Sequence, residues 1–290
     1  MFLRAFIALL PLFLFTGQSY GQSSFHLDAK TTVDISHSLV ECLYQYTNVV
    51  KEKLSNMEEK KSYNTILQVN NSVSKFWDYN SYKRDSIIYT STLTVDSVKS
   101  LNHLYRSVKY LFIPVVLKNY PDGKITVTDE IVPFDYIYEE KQVEIGWTLG
   151  GDTLMVCGYL CYNAHASFGG REWTVWFAPE IAVSEGPWKL RGLPGLILKA
   201  EDDSGSHFFE AFCFRKASTP IYLNRNFSQI KIKKEKFLHD KFSFENDPLG
   251  ALDSFPVDNI TVLKNEGVLL INGKRMNADF NTIYSPLEIQ

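Results

Sequence analysis

Along most of this chain apolar and polar residues alternate with a period of two, the spacing of strands that bury one face. Val33 to Thr47 carries the pattern, with Val40, Cys42, Tyr44 and Tyr46 on one side. Tyr63–Val69 and Val73–Tyr79 flank Asn70-Asn71-Ser72 and predict a hairpin, because Asn tolerates positive φ. Further strands are predicted at Leu111–Leu117, Lys124–Val132, Tyr136–Trp147, Thr153–Phe168, Glu172–Phe177, Gly195–Asp202 and His207–Lys216. Pro121-Asp122-Gly123, Gly150-Gly151, Gly169-Gly170 and Asp202-Asp203-Ser204-Gly205 mark turns between them. The spacing turns helical over Tyr82–Tyr105, and Ile232–Phe242 predicts one further helix. The charged run Lys51–Lys61 reads as a solvated turn or short helix. Ile260–Leu263 and Gly267–Ile271 suggest a late hairpin, and the residues after Ile283 are expected to be loosely held.

Consecutive strands joined by short turns, with few helices, predict a mainly β fold of the β-rich α+β kind. A curved antiparallel sheet or half-open barrel with a few short helices is expected. No internal repeat or low-complexity segment divides the chain, so residues 22–290 are expected to be a single domain.

Residues 1–21 depart from the alternation. Arg4 is followed by an apolar run from Ala5 to Phe15, and Ser19-Tyr20-Gly21 fits a small-x-small cleavage site. This is the order of a cleavable signal peptide, and the run is shorter than the ~20 residues of a membrane-spanning helix. No Cys follows it to take a lipid anchor. The chain is therefore expected to be exported, to the periplasm or beyond the cell, with no transmembrane anchor.

The charge balance narrows the partners. Lys and Arg number 30 against 33 Asp and Glu, a net charge of −3. Removing the leader takes only Arg4 from that balance. So mild an acidity argues against nucleic acid as a partner. The aromatic content, 16 Tyr, 20 Phe and 5 Trp, suits a sheet and equally suits an apolar or carbohydrate-binding cleft. The cysteines are Cys42, Cys157, Cys161 and Cys213. Export permits disulfides, and three full pairings are open. Cys157 and Cys161 do not pair with each other inside one extended strand, because they would stand ~13 Å apart.

Catalytic signatures are absent: there is no HExxH, GxSxG, Walker loop or Rossmann glycine pattern. No catalytic residue, metal or cofactor is assigned. Glu139-Glu140 and Asp202-Asp203 are paired acids, but neighbours on a strand point to opposite faces. His165 and His207 fall on strands near Cys161 and Cys213, which leaves a small Cys/His cluster as a reading to test.

The most distinctive stretch runs from Gly158 to Ala200. Gly169-Gly170 predicts a tight hairpin turn. Beyond it Trp173 and Val175 share one face of a strand, and Thr174 and Trp176 the other. Leu193-Pro194-Gly195-Leu196 predicts a type II turn in which Gly195 takes positive φ. Such turn chemistry fixes a hairpin and a corner whatever the protein does. Arg171, Trp173, Trp176 and Trp188 are the candidates to line or rim a ligand site.

This stretch resembles the GLPGLI family of exported proteins from Bacteroidetes, whose name motif stands here complete as Gly192-Leu193-Pro194-Gly195-Leu196-Ile197. The family's GY-x-C-x-x-A block is matched by Gly158–Ala164, its GR-x-W-x-x-W block by Gly170–Trp176, and its EI-x-x-x-x-GP block by Glu180–Pro187. The N-terminal half resembles the family more loosely, through the strand-rich pattern and Ser74-Lys75-Phe76. Cys157 and the placing of Arg191 before the hexapeptide depart from the pattern. The resemblance implies an exported β-rich protein and no particular activity. The order of motifs is also similar to that of periplasmic lipoprotein carriers, half-open antiparallel barrels that hold acyl chains.

The expected function is a non-enzymatic envelope protein that binds an apolar ligand, such as a lipid or lipoprotein, or an envelope partner protein. Two alternatives are an envelope hydrolase with a site assembled across strands, and a metal-handling protein using Cys157, Cys161, Cys213, His165 and His207.

Overall fold

The structure is a computed structural model that describes residues 32–90, 112–224, 229–252, 260–263, 268–271, 274–277 and 282–289. The expected leader, residues 91–105 of the expected long helix and the start of the strand expected at Leu111 lie outside these.

Two meanders make the main sheet. The first comprises β2 (Val40–Glu52), β3 (Glu58–Val69), β4 (Ser74–Asp78), β5 (Val115–Lys118), β6 (Lys124–Ile131) and β7 (Phe134–Lys141). The second comprises β8 (Thr148–Val156), β9 (Tyr159–Phe168), β10 (Arg171–Ala178), β11 (Leu196–Asp202) and β12 (His207–Lys216). They join where β12 pairs antiparallel with β2, Phe209 opposite Tyr46 and Ala211 opposite Tyr44. The path runs β7-β6-β5-β4-β3-β2-β12-β11-β10-β9-β8 and does not close. A short strand β14 (Ile230–Lys231) adds to β7 in parallel, and β18 (Thr282–Ile283) pairs with the far end of β2. The fold is therefore a large open sheet, antiparallel except at one edge.

Each face has its own cover. The inner face carries Tyr44, Tyr46, Phe76, Trp173 and Phe209, and the segment joining β10 to β11 lays Ile181, Trp188, Leu190 and Leu193 over it. Tyr46 and Phe209 stack with ring centroids 4.6 Å apart, and Trp173 stands between Trp188 at 5.9 Å and Phe209 at 6.3 Å. Pairs of this kind add ~0.5–1.5 kcal/mol each beyond their buried area. The outer face is covered by α1 (Tyr79–Thr90) and by a two-stranded ribbon of β1 (Thr32–His37) and β13 (Pro220–Asn224). Ile221 and Leu223 of the ribbon pack on Val73 and Leu117. Helix α2 (Lys234–Asn246) sets Phe237 against Tyr136 and Tyr138 of β7, and α3 (Pro248–Leu252) follows it. Three strands, β15 (Ile260–Leu263), β16 (Val268–Ile271) and β17 (Lys274–Asn277), form a small separate antiparallel sheet.

Several local expectations are corrected. Val33–Thr47 is two strands, broken where Ser38 leaves the sheet to bond Thr219. The run Thr153–Phe168 reverses at Cys157-Gly158, both at positive φ as a two-residue hairpin requires. Cys157 is thus in the turn itself and Cys161 in β9, rather than both within one strand. Gly150-Gly151 lies inside β8, where the register to β9 shifts, and not in a turn. All four cysteines are free thiols, Cys42 and Cys161 buried.

Candidate functional site

The Gly192–Ile197 hexapeptide is fixed by backbone bonds to the segment before it. Gly192 N–H donates to Ser184 O at 3.2 Å, Leu196 N–H to Ile181 O at 3.1 Å, and Ile197 N–H to Glu185 O at 2.9 Å. The glycine at positive φ is Gly192, at +100°, and not Gly195. Gly195 is needed for a different reason: a Cβ there would lie 2.4 Å from Ala178 O. Its N–H bonds back to Leu193 O at 2.8 Å, a three-residue turn centred on Pro194, so the expected type II turn is not formed.

This corner presents Lys189 and Arg191 to a half-open cleft of about 610 Å3. Helix α2, the end of β7 and residues 288–289 complete its walls. Ile125, Val143, Ile145, Phe168, Leu238 and Ile289 supply the apolar lining. At its floor four side chains form a closed ring of alternating charge. Lys189, 1% exposed, pairs with Glu288 at 2.5 Å and with Glu140. Lys234 pairs with Glu140 at 2.5 Å and with Glu288. Burial opposes ionisation of Glu288, but the two lysines outweigh it and hold its carboxyl below the usual range.

Arg191 stands outside that ring. Its backbone O accepts the Trp147 indole N–H at 2.8 Å. Its Nε is buried without a hydrogen-bond partner, and the nearest acid is Glu185 at 3.8 Å. Glu185 is already engaged: fully buried Lys118 lies 2.7 Å from its Oε2, which also accepts the Ser74 hydroxyl at 3.0 Å.

A second cluster ties down residues 285–289, which the alternation left as a loose end. Arg171 donates to Asp202 Oδ2 at 2.6 Å and to Pro286 O. His207 is held between the Tyr46 hydroxyl, 2.8 Å from Nδ1, and Pro286 O, 3.1 Å from Nε2. A carbonyl only accepts, so Nε2 carries the proton and Nδ1 accepts from Tyr46. Ile289 N–H donates to Gly169 O at 2.8 Å, and Gly170 has no side chain where Ile289 packs against it.

Three of the four residues nominated for a ligand site are interior. Trp173 and Trp188 pack on each other in the aromatic core, and Arg171 is spent on Asp202 and Pro286. Trp176 is half-buried on the opposite face, beneath the Lys199 ammonium at 4.6 Å. The alternation placed Trp173 and Trp176 on opposite faces correctly. It missed Lys189, Arg191, Lys234, Glu140 and Glu288, which come from four separate segments. The one local sign was a pair of cations two residues apart in front of the hexapeptide.

The two histidines of the Cys/His reading are engaged elsewhere, and the cysteines are free thiols. His165 bonds Thr174 at 3.0 Å and Asn163 at 3.3 Å, and His207 is clasped as above. Among the described residues no group of three or more His, Cys, Asp or Glu is placed to hold a metal ion. None of their helices is long and apolar enough to cross a membrane.

Residues 169–199, which hold the hexapeptide and both cleft cations before it, match a family model described as a protein of unknown function, Porph_ging. No curated protein matches the chain. Among solved structures it is similar to PNGF-II in a P21 crystal form, at 13% identity and a TM-score of 0.47, and in a C2 form, at 15% and 0.44. Each match covers 81% of this chain and 40% of the PNGF-II chain.

Proposed function

We propose that this chain is an exported bacterial envelope protein, a member of the GLPGLI family, that binds an apolar or amphiphilic ligand without transforming it. The observation that carries the reading is the cleft. Its size is within the roughly 300–1,000 Å3 of small-molecule sites, its walls are apolar, and the carboxylates on its floor are locked to lysines. A hydrolase needs an acid or base that exchanges a proton near neutral pH. Glu140 and Glu288 each face two ammonium groups, and those on Glu288 hold its carboxyl below the usual range, which suits the pair to structure and recognition. The family-model match over residues 169–199 spans the corner that builds this cleft, and the leader-like residues 1–21 support export. The test is to purify the protein from its own envelope fraction and analyse the extract by mass spectrometry. A stoichiometric lipid, with a protein N-terminus at about Gln22, is expected. Absence of any bound lipid, with no uptake of added fatty acid, overturns the ligand reading.

One observation favours a protein partner as a second reading. Leu149, Met155, Leu160 and Tyr162 lie on the inner face at the β8 end of the sheet and are exposed. An edge strand with free apolar side chains is a template for an added strand. Crosslinking from Met155 to an envelope protein, lost in Leu149→Lys, is the expected result for that reading.

A further inference from the structure

We infer that Arg191 is the receptor for an anionic head group, and that the cleft takes a single-tailed amphiphile ending in an oxyanion such as a carboxylate. The inference rests on the ligand-binding reading of this cleft and deepens it.

The charge balance inside the cleft carries the argument. The buried or half-buried lining charges are Lys189, Lys234 and Arg191 against Glu140 and Glu288. The ring uses both carboxylates on both lysines, and Arg191 is left over. The remaining lining charges, Lys141, Glu144 and Glu235, are exposed at the rim, where water and salt screen them. Glu185 compensates Arg191 only weakly, because it is shared with Lys118, which is fully buried and closer by about 1 Å. Burial pushes the Lys118 ammonium below its ordinary range, Glu185 opposes this, and Arg191 adds to it, the mark of two cations on one acid. Arg191 lines the apolar cleft with its side chain a quarter exposed, and its Nε is buried, so the exposed part of its guanidinium, weakly compensated by the shared Glu185 at 3.8 Å, is the binding element for a planar oxyanion. It is also held in place: the Arg191 main chain is fixed by Trp147 and by its bridge to Glu185. The apolar walls from Ile125 to Ile289 leave room for a tail beside it.

The experiment compares three probes on the purified protein, all below micellar concentration: sodium oleate, oleyl alcohol with the same tail and no charge, and sodium acetate with the head alone. Binding is read by equilibrium dialysis, with intrinsic tryptophan fluorescence as a second signal. Oleate is expected to bind at least tenfold more tightly than either of the others. Arg191→Gln is expected to reduce oleate to the oleyl alcohol level, and Arg191→Lys to keep most of the preference. If Arg191→Gln keeps the preference for oleate, the head-group assignment is wrong while the cleft remains a ligand site. If acetate binds as tightly as oleate, the site takes a free anion and the amphiphile assignment is wrong. If no probe binds, the ligand-binding reading itself fails. Should Arg191→Gln not fold, the salt dependence of the wild-type protein decides. Oleate affinity is expected to fall between 50 and 500 mM NaCl, on the order of the Debye-length change, while oleyl alcohol affinity does not. Equal salt responses overturn the assignment.

Discussion

Arg171, the first residue of β10, and Asp202, the last of its antiparallel partner β11, meet at the same end of the pair at 2.6 Å, with their side chains 6% and 0% exposed. Asp202 does more than neutralise the arginine. Its Oδ1 accepts the backbone N–H groups of Ser206 and His207, at 2.8 and 2.7 Å, and so shapes the β11–β12 turn. Arg171 in turn carries the Pro286 carbonyl. One buried pair thereby couples a hairpin to the last described segment of the chain. Removing one partner of such a pair costs ~3–5 kcal/mol, because the other charge stays buried. Asp202→Asn is expected to lose stability of that order in urea unfolding and to expose residues 285–289 to protease. Arg171→Met combined with Asp202→Leu is expected to lose less than either alone. A loss under about 0.5 kcal/mol for Asp202→Asn, the range of ordinary surface changes, counts against the coupling.

His207 makes that clasp sensitive to acid. Burial, reinforced by the Arg171 guanidinium, pushes its pKa down to about 3, against the Asp202 carboxylate, which favours the proton. The unfolded chain, with a pKa near 6.5, takes up the proton first. Stability from this site is therefore fully present above pH 6.5 and is lost as pH falls from 6.5 towards 3. Asp202 acts in the same direction only near and below its ordinary range, since its pKa is lowered. Measured between pH 7.5 and 4.5, wild-type stability is expected to fall by on the order of 2 kcal/mol more than that of His207→Gln. Parallel pH curves for the two proteins would show that His207 does not titrate as described.

On the outer face the sign of the pH effect is the same but the window differs. Lys75 is buried with its ammonium 3.5 Å from the Trp77 ring centroid and 3.9 Å from that of Tyr222. Burial lowers its pKa to about 7, and nearby Asp85 opposes the shift only in part. The unfolded chain holds this proton up to about pH 10.4, so stability rises as pH increases from 7 to 10. Lys118 contributes in the same direction, which makes the difference between proteins the informative quantity. Lys75→Met is expected to be more stable than wild type at pH 7 and to lose that advantage by pH 9.5. A variant less stable than wild type at pH 7 would show that the cation–ring contacts outweigh the burial.

The period-two alternation made most of the strands and their meander legible, because each strand reports its own faces through its own residues, while the junction of β12 with β2 was not. Trp173 and Val175 face the core and Trp176 does not, as their spacing requires. What the alternation could not report is which segments return to the sheet. Glu288 reaches Lys189 across a sequence separation of 99 residues, and His207 meets Pro286 across 79. Nothing local to Ser285–Ile289 marks it as bound, since Pro286 O and Ile289 N–H are main-chain groups that every sequence possesses and the partners of Glu288 lie far away in the chain. The candidate site was therefore mostly invisible. The aromatic residues were the conspicuous ones, and the fold uses Trp173 and Trp188 for packing.

Gly195 shows how a residue can be read for the wrong reason and still be required. Sequence suggested a need for positive φ, whereas the structure shows a need for space against Ala178 O. The two causes give different outcomes on substitution. A Cβ at Gly195 meets the Ala178 main chain at 2.4 Å, and strand β10 would have to move from β11 to admit it. Gly123 is the contrast, with φ at +73° and nothing within 4 Å of an added Cβ, so alanine there meets only backbone strain. Such strain costs ~1–2 kcal/mol. Gly195→Ala is expected to cost more than Gly123→Ala, and to disturb the Lys189–Arg191 corner as well. The check is urea unfolding of both variants together with oleate uptake. Gly123→Ala should retain uptake in proportion to its folded fraction, and Gly195→Ala should lose it while still folded. Equal losses in stability for the two variants would rule out the close approach as the reason for Gly195.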